Sequence, residues 1–361
     1  MKILVYGAGP LGSVFAAKLQ QCGNDVSILA RGQRLADLRE YGVVLEDWRT
    51  KERTVTRVNV VEQLAPEDAY DLVLVIMRKN HALDILPVLA ANRRTPNVAF
   101  MMNNAAGPER WIEALGKERV LIGFPSSAGN RDGHVIHYVT GTEDKPMSIL
   151  LGEVDGQITE RTRQIARVFD RVPVWRAEIR TDMDTWHKYH VALLMPSIAP
   201  ALYACGTDRH RMVRTRDAVT LAVRAVHEGF RVLQSLNLPI TPSSFKQFTW
   251  MPEPLIVPLL QRLFVDERID IAMVGHANAA RDEMKHLADE FLALARPTGI
   301  PTPAIDQLYP YFDPQTPPLP DGSADIPLDW RPVWIGLGAA AGIAGGALLI
   351  AKWLRGRNRR L

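Results

Sequence analysis

Three glycines at positions 7, 9 and 12 give the spacing G-x-G-x-x-G inside KILVYGAGPLGSVFAAKL. That spacing has a mechanical meaning: the first glycine makes a tight turn, the second lets a pyrophosphate approach the backbone, and the third lets a helix pack closely on the preceding strand. Pro10 and Leu11 fall between them, at the start of a helix whose free N–H groups and dipole favour anions. Gly7, Gly9, Pro10, Leu11 and Gly12 are therefore expected to bind a dinucleotide. At the end of the next apolar run, residues 26–29, an NAD site would place Asp or Glu to hold the ribose 2′-hydroxyl. This chain has Ala30-Arg31-Gly32-Gln33-Arg34 instead. Arginine suits a 2′-phosphate, so Arg31 points to NADP, with a solvated surface charge as the alternative. The nearby acid, Asp25, precedes the strand and reads as a turn residue.

Further polar residues follow apolar runs. Arg78, Lys79 and Asn80 come after residues 71–77, and Asn103 and Asn104 after residues 98–102. In an open α/β sheet the carboxyl ends of strands form the ligand edge. The two amides could orient a substrate or a catalytic group, although turn chemistry also selects Asn. In the stretch DMDTWHKYH, Lys188 stands beside Trp186, His187 and His190. A partly buried lysine there could donate a proton; the bland alternative is a snorkelling lysine on an amphipathic helix. No Cys, Asp or His lies at ligand spacing from the histidines, so no metal site is expected.

The elements that must position these groups divide the chain. Residues 3–6, 26–29, 43–45, 55–61, 71–77, 98–102, 120–124, 135–138 and 148–151 read as strands, and 157–169 as a helix. From about residue 181 helical periodicity takes over, with Leu221, Ala225 and Val232 on one face, Val219, Ala222, Val226, Phe230 and Leu233 on another, and a long run at 266–296. The expected domains are 1–180, binding the dinucleotide, and 181–312, a helical unit for substrate and dimerisation, with the cleft between them available to a ligand. A linker follows at 313–332, extended and outside any packed core because it holds six prolines. Residues 333–351 carry no charge and are long enough to span a bilayer, with Trp334 and Trp353 as interface anchors. A helix buried against a partner is the other reading. The tail 352–361 is basic.

Composition bounds the function. With 47% hydrophobic and 23% charged residues the chain is an ordinary globular protein, and much of its net charge of +3 lies in the last ten residues, which argues against a nucleic-acid partner. Two cysteines, Cys22 and Cys205, suggest a reducing compartment, and the glycine turn at residue 7 leaves no room for a signal peptide. The positive-inside tendency would keep the basic tail cytoplasmic, and so would the dinucleotide site for the body; a single span cannot satisfy both.

On GAGPLGS, LARG, MMNNAAGPER, WHK and RDEMKHLADEFLALARPTGIPTP, the chain resembles the ketopantoate reductase family over residues 1 to about 310. The resemblance implies an α/β Rossmann-like N-terminal domain with a parallel sheet and an all-α C-terminal domain, to which the sequence adds a C-terminal hydrophobic helix. It implies NADP bound by Gly7, Gly9, Gly12 and Arg31, with Asn104 at the asparagine that contacts cofactor and substrate. It places Arg78 where many members have lysine, Lys188 at the catalytic lysine and Glu283 at the acid of the C-terminal domain. Ala192 and Pro196 stand where the family has asparagines, and Ala105 replaces a glycine. The implied activity is NADPH-dependent reduction of a small 2-oxo acid or related carbonyl, by a cytoplasmic body associated with a membrane through its tail. An opine- or hydroxyacid-type dehydrogenase and a membrane-tethered NADP(H) sensor without turnover are the alternatives.

Overall fold

Apolar residues alternate between two faces from the first strand onward. Ile3 and Val5 are buried with Phe15, Phe169 and Trp175, whereas Leu4 and Tyr6 are buried with Phe100 and Trp111. A strand covered on both sides must sit inside a layered α/β unit. The computed structural model describes residues 1–267 and 269–334. Its strands are β1 (Lys2–Tyr6), β2 (Asp25–Leu29), β3 (Val43–Asp47), β4 (Arg53–Thr56), β5 (Asn59–Val61), β6 (Leu72–Val75), β7 (Val98–Met101), β8 (Val120–Phe124), β9 (Ala128–Asp132), β10 (Val135–Val139), β11 (Met147–Glu153) and β12 (Trp175–Ile179).

The main sheet runs in the order β5-β2-β1-β6-β7-β8-β11-β12. It is mostly parallel, but β11 lies antiparallel to β8. The departure from an all-parallel sheet has a cause in the connection: between β8 and β11 the chain makes the antiparallel pair β9–β10 instead of a crossover helix, and re-enters the sheet from the opposite end. The expected strand at 55–61 divides into β4 and β5. β4 joins β3, β10 and β9 in a separate four-stranded sheet, and β5 forms the edge of the main one. β9 and β12 give little sequence signal; β9 is AGNRD, polar and partly exposed.

The last strand ends at Ile179, and the helix Met183–Leu193 opens the helical half. At its centre the helix Arg216–Ser235 buries both predicted faces, with Val219, Ala225, Val232 and Leu233 fully enclosed. Enclosure on all sides explains why two stripes could be read from one helix. The expected long helix at 266–296 is instead broken into a π-turn Asp270–Val274 and the helices Gly275–Ala279 and Arg281–Ala295. Gly275 is docked on β9, where a Cβ would come 2.1 Å from Asn130 Nδ2, and Ala280 leaves helical geometry at φ −138°, which re-aims the following helix.

Residues 313–332 do not form a free linker. Leu319, Ile326 and Leu328 pack on the helical core. The backbone is held throughout: Leu319 N–H donates to Ala204 O at 2.9 Å, Arg211 donates to Leu319 O, Arg224 donates to Pro327 O, Asp217 accepts from the amides of Asp325 and Ile326, and Glu253 accepts from Asp329. Prolines do not prevent this, because the donors and acceptors are arginines and carboxylates of other elements. Residues 335–361, which carry nearly all of the expected hydrophobic helix and the basic tail, lie outside the described residues. Among the described ones no helix is long and apolar enough to cross a membrane.

This strap sets where the chain can be cut. Truncation after Trp334 should leave thermal unfolding unchanged, whereas truncation after Phe312 should cost about 3 kcal/mol or more, at about 1 kcal/mol for each buried hydrogen bond lost. Equal melting temperatures for the two would show that the strap contributes nothing.

Candidate active site

The order of the main sheet reverses direction between β1 and β6, and residues at the carboxyl ends of these strands face a shared crevice. The glycine turn lies there. A Cβ on Gly7, whose φ is +123°, would come 2.2 Å from Ile76 O at the end of β6, and one on Gly12 would come 1.8 Å from Gly7 O. Both positions are closed to any side chain. Gly9 differs: nothing lies within 4 Å of its notional Cβ. The helix Pro10–Gln21 starts at Gly9 as N-cap, with Pro10 in its first turn. Pro10 has no N–H, so the first-turn donors free for an anion are the amides of Leu11 and Gly12. Two glycines serve packing and the third leaves open the space a pyrophosphate needs, so the residues present fit a dinucleotide.

Arg31 is exposed at the end of β2, where it caps the helix Gly32–Tyr41 and donates to the Tyr6 hydroxyl at 3.3 Å. Asp25 starts β2 and lies at the strand end away from the turn. Arg34, which carried no assignment in the sequence, is buried against the turn. It donates to Ala8 O at 3.1 Å, to Ser13 Oγ at 2.9 Å and to His134 O. Burial lowers the guanidinium pKa from its ordinary value. Arg34 is thus a brace for the glycine turn.

At the end of β6 two adjacent cations point in different directions. Arg78 is half-buried and turns to the helical half, pairing with Asp282 at 3.2 Å and donating to Ala279 O. Lys79 is buried. Its Nζ donates to Asn104 Oδ1 at 2.9 Å, lies 3.2 Å from Glu290 Oε1, and sits over the Trp111 ring at 4.7 Å. Burial lowers the Lys79 pKa, and Glu290 opposes that shift. Asn104 is fully buried, and its Nδ2 has no hydrogen-bond partner among the described residues.

Glu283 is also buried, one turn into the helix Arg281–Ala295. Its Oε1 accepts the Lys79 N–H at 2.8 Å, and its Oε2 lies 3.1 Å from His276 Nε2. Seven residues on, and so on the same helix face, Glu290 accepts from the amides of Ala105 and Ala106 at 3.1 and 3.2 Å. The structure therefore brings Glu283 and Asn104 together through Lys79. Glu290, His276 and Lys79 carried no assigned role in the sequence; the position of Lys79 at the ligand edge was its one signal.

Lys188 is nearly buried and its partner is Asp184, one turn earlier on the same helix. No hydrogen bond joins Lys188 to Glu283 among the described residues. The neighbouring histidines are neutral at neutral pH and hold no imidazolium proton to donate. Burial pushes His187 down to about 3 and His190 down to about 4. His190 stacks on Trp186 with Nδ1 at 2.9 Å from Asn103 Oδ1, and His187 Nε2 lies 3.2 Å from Gly123 O. Both rings serve packing and orientation. Pro196 lies in a π-turn, Leu194–Ile198, and Ala192 is buried in the helical core against Gly229.

The sequence profile of the family described as "Ketopantoate reductase PanE/ApbA" matches residues 3–155. Over these residues the chain is similar to the ketopantoate reductase family. It is 28% identical over 324 residues to an uncharacterized oxidoreductase of Bacillus subtilis, covering 86% of this chain and 97% of that one. To a 2-dehydropantoate 2-reductase of Archaeoglobus fulgidus it is 26% identical over 289 residues, covering 78% and 91%. Its fold is that of a 2-dehydropantoate 2-reductase from Geobacter metallireducens, with TM-score 0.69 and 18% identity over 88% of this chain and 100% of the other. It is also that of a D-mandelate dehydrogenase solved with NADH and anilino(oxo)acetate, with TM-score 0.68 and 14% identity over 86% and 97%.

The three glycines of the turn make separable predictions. Gly12→Ala should destabilise the fold by about 3 kcal/mol, because the helix must move away from Gly7 O. Gly9→Ala should unfold at the wild-type temperature yet bind a dinucleotide at least about tenfold more weakly, or ~1.4 kcal/mol. Thermal unfolding and fluorescence titration of both variants read the two effects; a Gly9→Ala protein with unaltered affinity would remove the phosphate from this turn.

Proposed function

We propose that the protein is an NADPH-dependent reductase of a small 2-oxo acid or related carbonyl compound. The observation that carries this reading is the open space at Gly9, in a turn whose other two glycines are locked by packing, with Arg31 and no acid at the end of β2. NADPH, when bound, supplies the hydride. The remaining work falls to the chain. Lys188, held by Asp184, stabilises the charge that grows on the carbonyl oxygen and passes a proton to it. Asn104 presents its free amide to ligand, and Glu283 holds the first turn after β6 in place. Closing the two halves on each other excludes water from the reacting carbon.

The substrate is expected to be less polar than ketopantoate, because the two positions where the family has asparagines are occupied by Ala192, packed in the helical core, and by Pro196, buried in the turn Leu194–Ile198, neither of which can hydrogen-bond a substrate through its side chain. A panel should therefore include ketopantoate, branched aliphatic 2-oxo acids and aryl 2-oxo acids. NADPH consumption with at least one of them is the expected result, and Lys188→Ala should lower kcat by about 10²-fold while keeping NADPH affinity. No consumption across the panel by a protein that binds NADPH would favour the sensor reading. Near-normal turnover in Lys188→Ala would return that lysine to a packing role.

The reading of residues 333–351 as a membrane-holding segment belongs to the same proposal and puts the body on the cytoplasmic side. Trp250, Leu255, Leu259 and Leu263 are exposed in and just before the helix Glu253–Leu263, and the strap reaches the start of that helix where Asp329 meets Glu253. An apolar stripe beside the departing chain suits a lipid surface. The full chain should stay with membranes through a high-salt wash and the chain ending at Trp334 should not; a full chain soluble without detergent would end the membrane reading.

A further inference from the structure

Lys79 sits at the centre of the interface between the two halves, and its contacts fix more than packing. An ammonium has donors only, so it can meet a side-chain amide only at the oxygen. Its bond to Asn104 Oδ1 therefore determines which way the amide faces: Nδ2 is turned away from Lys79, and that NH2 group is buried with no partner among the described residues. A buried donor left without a partner destabilises the fold. Such a group is retained where something else completes it. Glu290, in the helical half, compensates the Lys79 charge and accepts from the amides of Ala105 and Ala106, the two residues that follow Asn104. Glu283, on the same helix face, accepts the backbone N–H of Lys79 itself. Backbone and side chain of Lys79 are thus both held by the helix Arg281–Ala295, and Lys79 in turn holds Asn104.

We propose that Lys79 is a positioning residue, which locks the Asn104 amide with its NH2 toward the ligand and makes that orientation depend on docking of the helix Arg281–Ala295. The ligand atom that meets Asn104 is then a hydrogen-bond acceptor: a carbonyl, carboxylate or carboxamide oxygen. This rests on the reductase reading above, which assigns Asn104 to the ligand side of the crevice. Lys79 performs no chemistry in this account, because its charge is spent on Glu290 and Asn104. A neutral replacement of similar length, Lys79→Met, leaves the amide free to rotate and its oxygen free to face the ligand, whereas Asn104→Asp keeps the Lys79 contact and removes the donor.

The test is a double-mutant cycle on the full chain, using wild type, Lys79→Met, Asn104→Ala and the double variant, with Asn104→Asp alongside. The readouts are the NADPH dissociation constant, kcat/KM for the best-reduced 2-oxo acid, and thermal unfolding. Lys79→Met should lower kcat/KM or NADPH affinity by about tenfold or more, yet add less than about threefold once Asn104 is alanine, because its effect passes through that amide. Asn104→Asp should lose about tenfold or more while unfolding no earlier than wild type. Losses that multiply fully in the double variant, or an Asn104→Asp protein with wild-type kcat/KM and NADPH affinity, overturn the proposal and leave the reductase reading intact. A wild-type chain that binds neither NADPH nor NADH overturns the reductase reading and this proposal with it.

Discussion

The approach of backbone to backbone at the glycine turn is the constraint on which the rest of the molecule depends. Gly7 lies against Ile76 O and Gly12 against Gly7 O, at distances no Cβ could share. These two contacts seat the helix Pro10–Gln21 on the sheet and bring its first turn to the carboxyl ends of β1 and β6. Arg34 then braces the loop from behind through Ala8 O and Ser13 Oγ. With the loop fixed, the open side of Gly9 becomes a place where a phosphate can meet amides that are already aligned, without ordering at the moment of binding.

A second set of contacts joins the halves. The helix Arg281–Ala295 presents Asp282, Glu283 and Glu290 to residues that follow β6 and β7. Three carboxylates facing one edge would repel one another if left alone. Here Arg78, Asn80, Lys79, His276 and backbone amides share the charge. The exposed Arg78–Asp282 pair contributes little, as surface pairs do. The Lys79–Glu290 pair is different in kind: removing Glu290 leaves the buried Lys79 ammonium uncompensated inside the interface, which costs about 3–5 kcal/mol, whereas Glu290 without Lys79 keeps the amides of Ala105 and Ala106. The residues that follow β6 and β7 are thereby joined to the helical half through Lys79.

Legibility in the sequence followed the range of the interactions. The glycine spacing, the apolar run of β6 and the two faces of the helix Arg216–Ser235 are local patterns, and each appears where its residues predict. The Lys79–Glu290 pair spans the chain, and no local pattern announces it. Arg78 and Lys79 are neighbours in sequence, yet Arg78 is the extended N-cap and Lys79 the first residue of the helix Lys79–Ala82; one turns to Asp282 and the other inward, and the sequence reading singles out Arg78. Prolines at 314–332 suggested a free linker because proline cannot donate, but its carbonyls and the intervening amides still bond, and Arg211, Arg224 and Asp217 use them. Asn104 was found through its resemblance, whereas the lysine that orients it became visible only in three dimensions.

The central claim is that the turn and the end of β2 together receive a dinucleotide carrying a 2′-phosphate. Equilibrium titration of the chain ending at Trp334 with NADPH and with NADH, for wild type and for Arg31→Ala, tests it most directly. The account predicts tighter NADPH binding by wild type, and a loss in Arg31→Ala of about tenfold or more for NADPH with little change for NADH. Equal affinities in wild type, or equal losses for both dinucleotides in the variant, would contradict it.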